Sequence, residues 1–195
     1  MAQQANTQNA VQALNERMDQ RFRLKMHEER IPGSAWTIVH QGKVQDIAVH
    51  GFVDSRHSKR VDEATVFRIA SVSKGFAGVL TAMLATEGQL SLQDPIRQYA
   101  PSFRFKSAGS NVELTIEDVL GQRSGFVPNA YDNMIESGIS RQQIYPHFAE
   151  LAPICPPRTC YSYQNSVFSL VEDVIETSTS VPYAELLEQR IFEPL

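Results

Sequence analysis

The sequence predicts an α+β fold, mostly helical, with one antiparallel β-hairpin near its N-terminus. Three observations predict it. An amphipathic helical stretch opens the chain, strand-like runs are confined to residues 31–70, and from Ser71 onward apolar residues recur at helical spacing. At 195 residues, with 42% hydrophobic and 21% charged side chains, the chain is long enough for one sizeable core. The expected organisation is a single domain over 1–195, divided into an N-terminal helix (1–30), sheet strands (31–70) and a helical region (71–195). A formal net charge of −4 leaves no basic footprint, so nucleic acid is set aside as a partner. No apolar run reaches the length of a membrane span, and Met1 to Gln8 lacks the charged and apolar regions of a signal peptide.

The first helix is expected from about Val11 to Glu29, with Val11, Leu14, Met18, Phe22 and Met26 on one face. The Pro32-Gly33 step breaks it. Ser34 to His40 and Val44 to Gly51, joined by Gln41-Gly42-Lys43, read as a hairpin. His40, His50 and His57 are expected to be exposed strand or loop residues rather than bases. After a strand-like Thr65-Val66-Phe67-Arg68-Ile69, apolar residues at Val72, Phe76, Val79, Leu80, Met83 and Leu84 define a helix that Gly88 stops. Asp94-Pro95 signals an N-cap with proline at the first helical position. Phe103 to Val112 reads as polar loop, and Thr115 to Asp118 as a capping box before a short helix through Leu120. Arg123-Ser124-Gly125 turns the chain, and Tyr131 to Pro157 mixes short helical pieces with loop. A buried helix is expected over Ser166 to Thr177, and another from Pro182 with Tyr183, Leu186, Leu187 and Ile191 on one side.

Two motifs carry chemistry. Ser71 and Lys74 stand three apart at a helix start, hence on one face, so the ammonium reaches the hydroxyl. A serine is a poor nucleophile until a neighbour takes its proton, which lysine can do, and a helix N-terminus favours the developing negative charge. The bland reading of Ser-x-x-Lys is a capping serine beside a solvated lysine. Against it, Lys74 opens a nearly uncharged helix, where a solvated lysine is unexpected. Tyr163 and Asn165, two apart at a loop-to-helix junction, can aim a phenol and a carboxamide into one cleft. The bland reading there is a packed tyrosine and a capping asparagine. Asn129 is a candidate contact for a substrate amide, with a turn residue after Pro128 the favoured alternative. Cys155 and Cys160 flank a proline-rich loop. No second Cys/His pair supports a zinc site, so a local disulfide is preferred to two free thiols and points to an oxidising compartment such as a periplasm.

Ser71-Val72-Ser73-Lys74, Leu114 to Leu120 leading to Arg123-Ser124-Gly125, Tyr163-Gln164-Asn165 and Arg190 to Leu195 occur in that order. This order resembles the serine β-lactamase-related family, nearest to class C β-lactamases, low-molecular-weight penicillin-binding proteins and their esterase relatives. The resemblance covers Ile31 to Leu195. Tyr-x-Asn, where class A enzymes carry Ser-Asp-Asn, is similar to the class C branch. The resemblance implies a β-lactamase/transpeptidase-like fold and a serine acyl hydrolase with no metal or organic cofactor. Its substrates would be β-lactams, D-Ala peptides or small esters, and its usual location periplasmic or secreted. It makes Ser71 the acylated nucleophile and Lys74 its proton partner. Tyr163 would relay protons to the leaving group, and Asn165 would hold Lys74 and the substrate amide. Gln122 stands where the family commonly has histidine. The third motif, Lys-Thr-Gly or a relative on a downstream strand, does not follow Asn165, so the chain resembles an N-terminal half with its C-terminal sheet strands missing. The alternative is a non-catalytic scaffold or binding module of the same fold.

Overall fold

A computed structural model describes residues 2–105 and 113–195. The chain forms two compact units, Met1–Arg68 and Ile69–Leu195. In the first, helix α1 (Ala2–Glu28) places Val11, Met18, Phe22 and Met26 on a half-buried stripe, with the Phe22 ring 6.1 Å from that of Trp36. Leu14, expected on that stripe, is exposed. Strands β1 (Gly33–His40) and β2 (Lys43–Gly51) pair antiparallel, with Trp36 opposite Ala48 and a bulge at Ile38/Val39. The connection is two residues rather than three. Gln41 and Gly42 both take positive φ, the geometry that matches the strand twist in a tight hairpin.

Two further sequence expectations fail here. His50 is not an exposed strand residue: its Nε2 lies 2.8 Å from the Asp19 carboxylate, with the side chain only 9% exposed. The strand-like run Thr65–Ile69 finds no strand partner among the described residues, so its β-branched and aromatic side chains alone do not make a strand.

In the second unit, a 3₁₀ turn (Ala70–Val72) leads into α2 (Ser73–Thr86), which buries Ala77, Leu80, Thr81 and Leu84. Gly88, at φ +75°, ends it, and the Gln89 N–H bonds the Leu84 carbonyl at 3.0 Å. The short helices α3 (Ile116–Leu120), α4 (Asp132–Glu136) and α5 (Arg141–Ile144) follow, then α6 (Asn165–Phe168), α7 (Leu170–Thr179) and α8 (Tyr183–Leu187). One core joins α2, α3 and α7 to a cluster of Phe103, Phe126, Tyr145 and Phe148, whose rings meet mostly edge to face or tilted.

Four local expectations are corrected here. Asp94 caps no helix: its carboxylate accepts from the Ser91 N–H and the Tyr99 hydroxyl, both at 2.7 Å, and Pro95 is extended before a single 3₁₀ turn. Burial and Asp94 push the Tyr99 phenol up to about 12. Phe103 belongs to the core rather than to a polar loop, and residues 106–112 of that loop lie outside the described ones. The single helix expected over Ser166–Thr177 is broken at Ser169, whose hydroxyl bonds the Ser166 carbonyl at 2.6 Å. α8 continues as a wider π turn through Phe192. The Thr115–Asp118 capping box forms as expected.

Candidate active site

The 3₁₀ turn presents Ser71 at the surface, and Ala70 before it adopts φ +45°, a left-handed conformation unusual for alanine. Ser71 sits in a first turn, where main-chain N–H groups have no intrahelical acceptor and face outward. One turn on, Lys74 is half-buried rather than fully enclosed. Its Nζ donates to three oxygens: Ser71 Oγ at 3.1 Å, Tyr163 OH at 2.9 Å and Asn165 Oδ1 at 2.7 Å. The Tyr163 hydroxyl donates in turn to Ser71 Oγ at 2.6 Å, closing a triangle of serine, lysine and tyrosine. The ammonium also lies 4.9 Å from the Tyr163 ring centroid and 5.3 Å from that of Phe168, within cation–π range. The hydrogen bonds from Lys74 and with Ser71 hold the Tyr163 phenol below its ordinary pKa, against a small upward push from burial and a Coulombic one from Asp132.

Tyr163 lies in a loop with no strand or helix to hold it, so its position comes from individual hydrogen bonds. The Asn129 N–H donates to the Tyr163 carbonyl at 2.9 Å. Gln122 grips both neighbours: its carbonyl accepts from the Ser162 N–H at 2.8 Å and its Oε1 from the Gln164 N–H at 2.7 Å. The Ser162 hydroxyl bonds the Phe126 carbonyl, and the buried Gln164 amide bonds that of Val127. Asn165 is the first residue of α6, with its Nδ2 donating to Asp132 Oδ2 at 2.7 Å.

Behind this loop, Cys155 and Cys160 are joined as a disulfide, their Cα atoms 6.4 Å apart. The loop they close carries Arg158, whose guanidinium chelates the fully buried Asp118 carboxylate at 2.8–3.0 Å. Burial raises the Asp118 pKa, but the Arg158 hydrogen bond and those from the Thr115 N–H and hydroxyl outweigh it, so the group titrates below the usual aspartate range. Gly125, at φ +82°, passes so close that a Cβ there would meet the Cys155 carbonyl oxygen at 2.3 Å.

The structure therefore brings Ser71, Lys74, Tyr163 and Asn165 together. Asn129 stands apart in an exposed turn at φ +59°, and its main chain rather than its carboxamide serves the site. Gln122, Gln164 and Asp132 position the motif although no sequence pattern marks them for that task; of the three only Gln122 stands out in the sequence, where the related family commonly has histidine. Among the described residues, no three His, Cys, Asp or Glu side chains converge on a point that could hold a metal ion.

The Beta-lactamase family model matches residues 18–195. The chain belongs to the beta-lactamase family. It is 25% identical to a beta-lactamase of Escherichia coli K12 over 95% of this chain and 48% of that protein. It is 28% identical to Protein flp of Staphylococcus aureus over 87% of this chain and 34% of the relative. The chain thus spans between a third and a half of the length of these relatives. The fold recurs in EstCE1, a hydrolase with promiscuous acyltransferase activity (TM-score 0.83, 22% identity, 95% of this chain and 52% of that one). It recurs also in the octameric penicillin-binding protein homologue of Pyrococcus abyssi (TM-score 0.76, 23% identity, 92% and 42%). A β-lactamase/transpeptidase-like fold, mostly helical with a two-stranded antiparallel sheet, is thereby established.

Proposed function

We propose that this beta-lactamase-family chain carries the acylation centre of a serine acyl hydrolase acting on β-lactams, D-Ala peptides or small esters. The observation that carries this reading is the closed hydrogen-bond triangle of Ser71 Oγ, Lys74 Nζ and Tyr163 OH. With one proton first lost from the Lys74–Tyr163 pair to solvent, Ser71 Oγ attacks the acyl carbonyl carbon and gives its proton to that pair. That pair passes a proton to the leaving nitrogen or oxygen as the scissile bond breaks, leaving an ester on Ser71. Water then releases the acid and restores the serine. Lys74 and Tyr163 share one hydrogen bond and both touch Ser71 Oγ, so the base is assigned to the pair. The outward Ser71 N–H supplies one oxyanion donor. Without a downstream third-motif strand to supply the other, turnover is expected to fall about 10²–10³-fold.

The wider reading takes 1–195 as one incomplete domain completed by a downstream segment. The chain is assigned to a periplasm or another oxidising compartment on the strength of the Cys155–Cys160 disulfide. Among the described residues no helix is long and apolar enough to cross a membrane. A non-catalytic scaffold or binding module of the same fold is the second reading. Intact-mass spectrometry after incubation with a penicillin, and separately with an activated ester, decides between them. The expected result is a single adduct that Ser71→Ala abolishes; an adduct-free but folded chain favours the scaffold.

A further inference from the structure

We infer that Asp132 is a positioning residue of the site: its carboxylate fixes the orientation of the Asn165 carboxamide and thereby aims Asn165 Oδ1 at Lys74. The inference rests on the acyl-transfer reading for its catalytic consequence, but not for its geometry. A carboxamide has two ends of nearly equal shape, one accepting and one donating, and an isolated Asn165 is free to present either to Lys74. An ionised carboxylate accepts only. With Asp132 Oδ2 at 2.7 Å from Asn165 Nδ2, the donating end is held by the aspartate and the accepting end must face the ammonium, where Oδ1 lies 2.7 Å from Nζ. The flipped amide would set an NH₂ group against an ammonium and a carbonyl against a carboxylate, two repulsive contacts in place of two charge-assisted hydrogen bonds.

Asp132 is itself placed for this task. It opens α4 directly after Tyr131, which takes the left-handed φ of +63°, and its N–H bonds the Asn129 carbonyl at 3.2 Å. Asn129 also donates to the Tyr163 carbonyl. One turn therefore ties the aspartate to both halves of the Tyr163-Gln164-Asn165 motif. The second carboxylate oxygen, Oδ1, is buried without a hydrogen-bond partner among the described residues, a costly arrangement for a carboxylate with a purely structural role. The array reads carboxylate, carboxamide, ammonium, phenol and serine hydroxyl. The charged and titratable groups facing Tyr163 are Lys74 and Asp132, with the Ser71 hydroxyl between. Lys74 favours the phenolate and Asp132 opposes it, so removing the Asp132 charge moves the phenol further in the direction Lys74 already pulls it.

The test uses the chain labelled with ¹³Cζ-tyrosine, in which Tyr163→Phe identifies the Tyr163 resonance, alongside the rate of Ser71 acylation by a p-nitrophenyl ester. Asp132→Asn keeps an acceptor for Asn165 but removes the charge. The expected result is a Tyr163 transition at lower pH, with acylation retained within several-fold. Asp132→Leu frees the carboxamide, and the expected loss in acylation rate is about 10–100-fold, the scale of a misplaced catalytic contact. Unchanged Tyr163 titration in Asp132→Asn together with wild-type acylation in Asp132→Leu would overturn the inference. If Asp132→Leu does not fold, shown by circular dichroism, the Asp132→Asn titration decides alone. A Tyr163 titration that moves in a chain giving no Ser71-dependent adduct separates the two claims: the positioning role stands and the acyl-transfer reading falls.

Discussion

Ser71 has no nucleophilic character of its own; it acquires one from the two groups that touch its oxygen, and their effects are separable. Lys74 is the larger influence on Tyr163, so Lys74→Gln, which keeps a hydrogen-bonding side chain but no charge, should return the phenol toward its ordinary value of 10.0. Acylation at neutral pH should fall by about 10²–10⁴, the usual worth of a general base, and should recover partly in alkaline buffer as Tyr163 ionises unaided. A Lys74→Gln variant that keeps the wild-type pH profile would remove lysine from the mechanism. This cluster was largely legible in the sequence, because Ser71 and Lys74 are local neighbours on one helical face and Tyr163 and Asn165 lie within a single tripeptide. What could not be read is how the pairs meet across about ninety residues, or which side chains hold the loop. Gln122, Gln164 and Asp132 act through one or two long-range hydrogen bonds each, and no periodicity encodes those.

At the scale of elements, the motif loop is held by an irregular lattice rather than by a strand, and that lattice rests on the Arg158–Asp118 pair. Asp118 has no exposure, caps α3 through Thr115, and is compensated by Arg158. Its folded-state pKa lies below the unfolded value of 3.8. The stability it contributes is therefore present above that value and is lost as pH falls through the folded pKa. Arg158→Ala leaves a buried carboxylate with Thr115 and the Arg123 guanidinium 3.4 Å from its Oδ1, and because Arg158 is half-exposed the expected cost at pH 7 is about 1–3 kcal/mol. Part of that cost should vanish in acid, where the protonated carboxyl needs no counter-charge. Urea melts of both proteins at pH 7 and pH 3 check this; an equal penalty at the two pH values would mean that Arg158 acts by packing. The elements themselves follow the sequence where a signal is local. The Gly88 stop, the Thr115–Asp118 box and the hairpin are cases. Expectations fail where a tertiary partner competes, as when Tyr99 draws Asp94 away from a cap or Ser169 bonds backward and splits a helix.

Over the molecule as a whole, the two faces of α2 are treated differently. Ala77, Leu80 and Leu84 are buried in the helical unit, whereas Val72, in the turn before the helix, is 69% and Val79 54% exposed; Lys74 is the one charged residue of α2, and the Phe76 ring near its start lies 5.4 Å from that of half-exposed Phe192. In the other unit, among the described residues, the sheet has only two strands, so both of its edges are unpaired. An apolar helix face and open strand edges are ordinarily covered. The relatives the chain matches are two to three times its length, and a downstream segment lying on α2 is the cover proposed here. The proposal distinguishes the chain alone from a longer protein. In the 195-residue chain, Val79→Lys replaces a solvent-exposed side chain and should change stability by less than about 0.5 kcal/mol while lowering binding of a hydrophobic dye. In a longer protein carrying the segment, the same lysine would be forced under apolar packing, and the expected penalty rises to several kcal/mol. Equal and small penalties in the two contexts would show that α2 keeps this face in water, and the missing cover would have to be sought elsewhere.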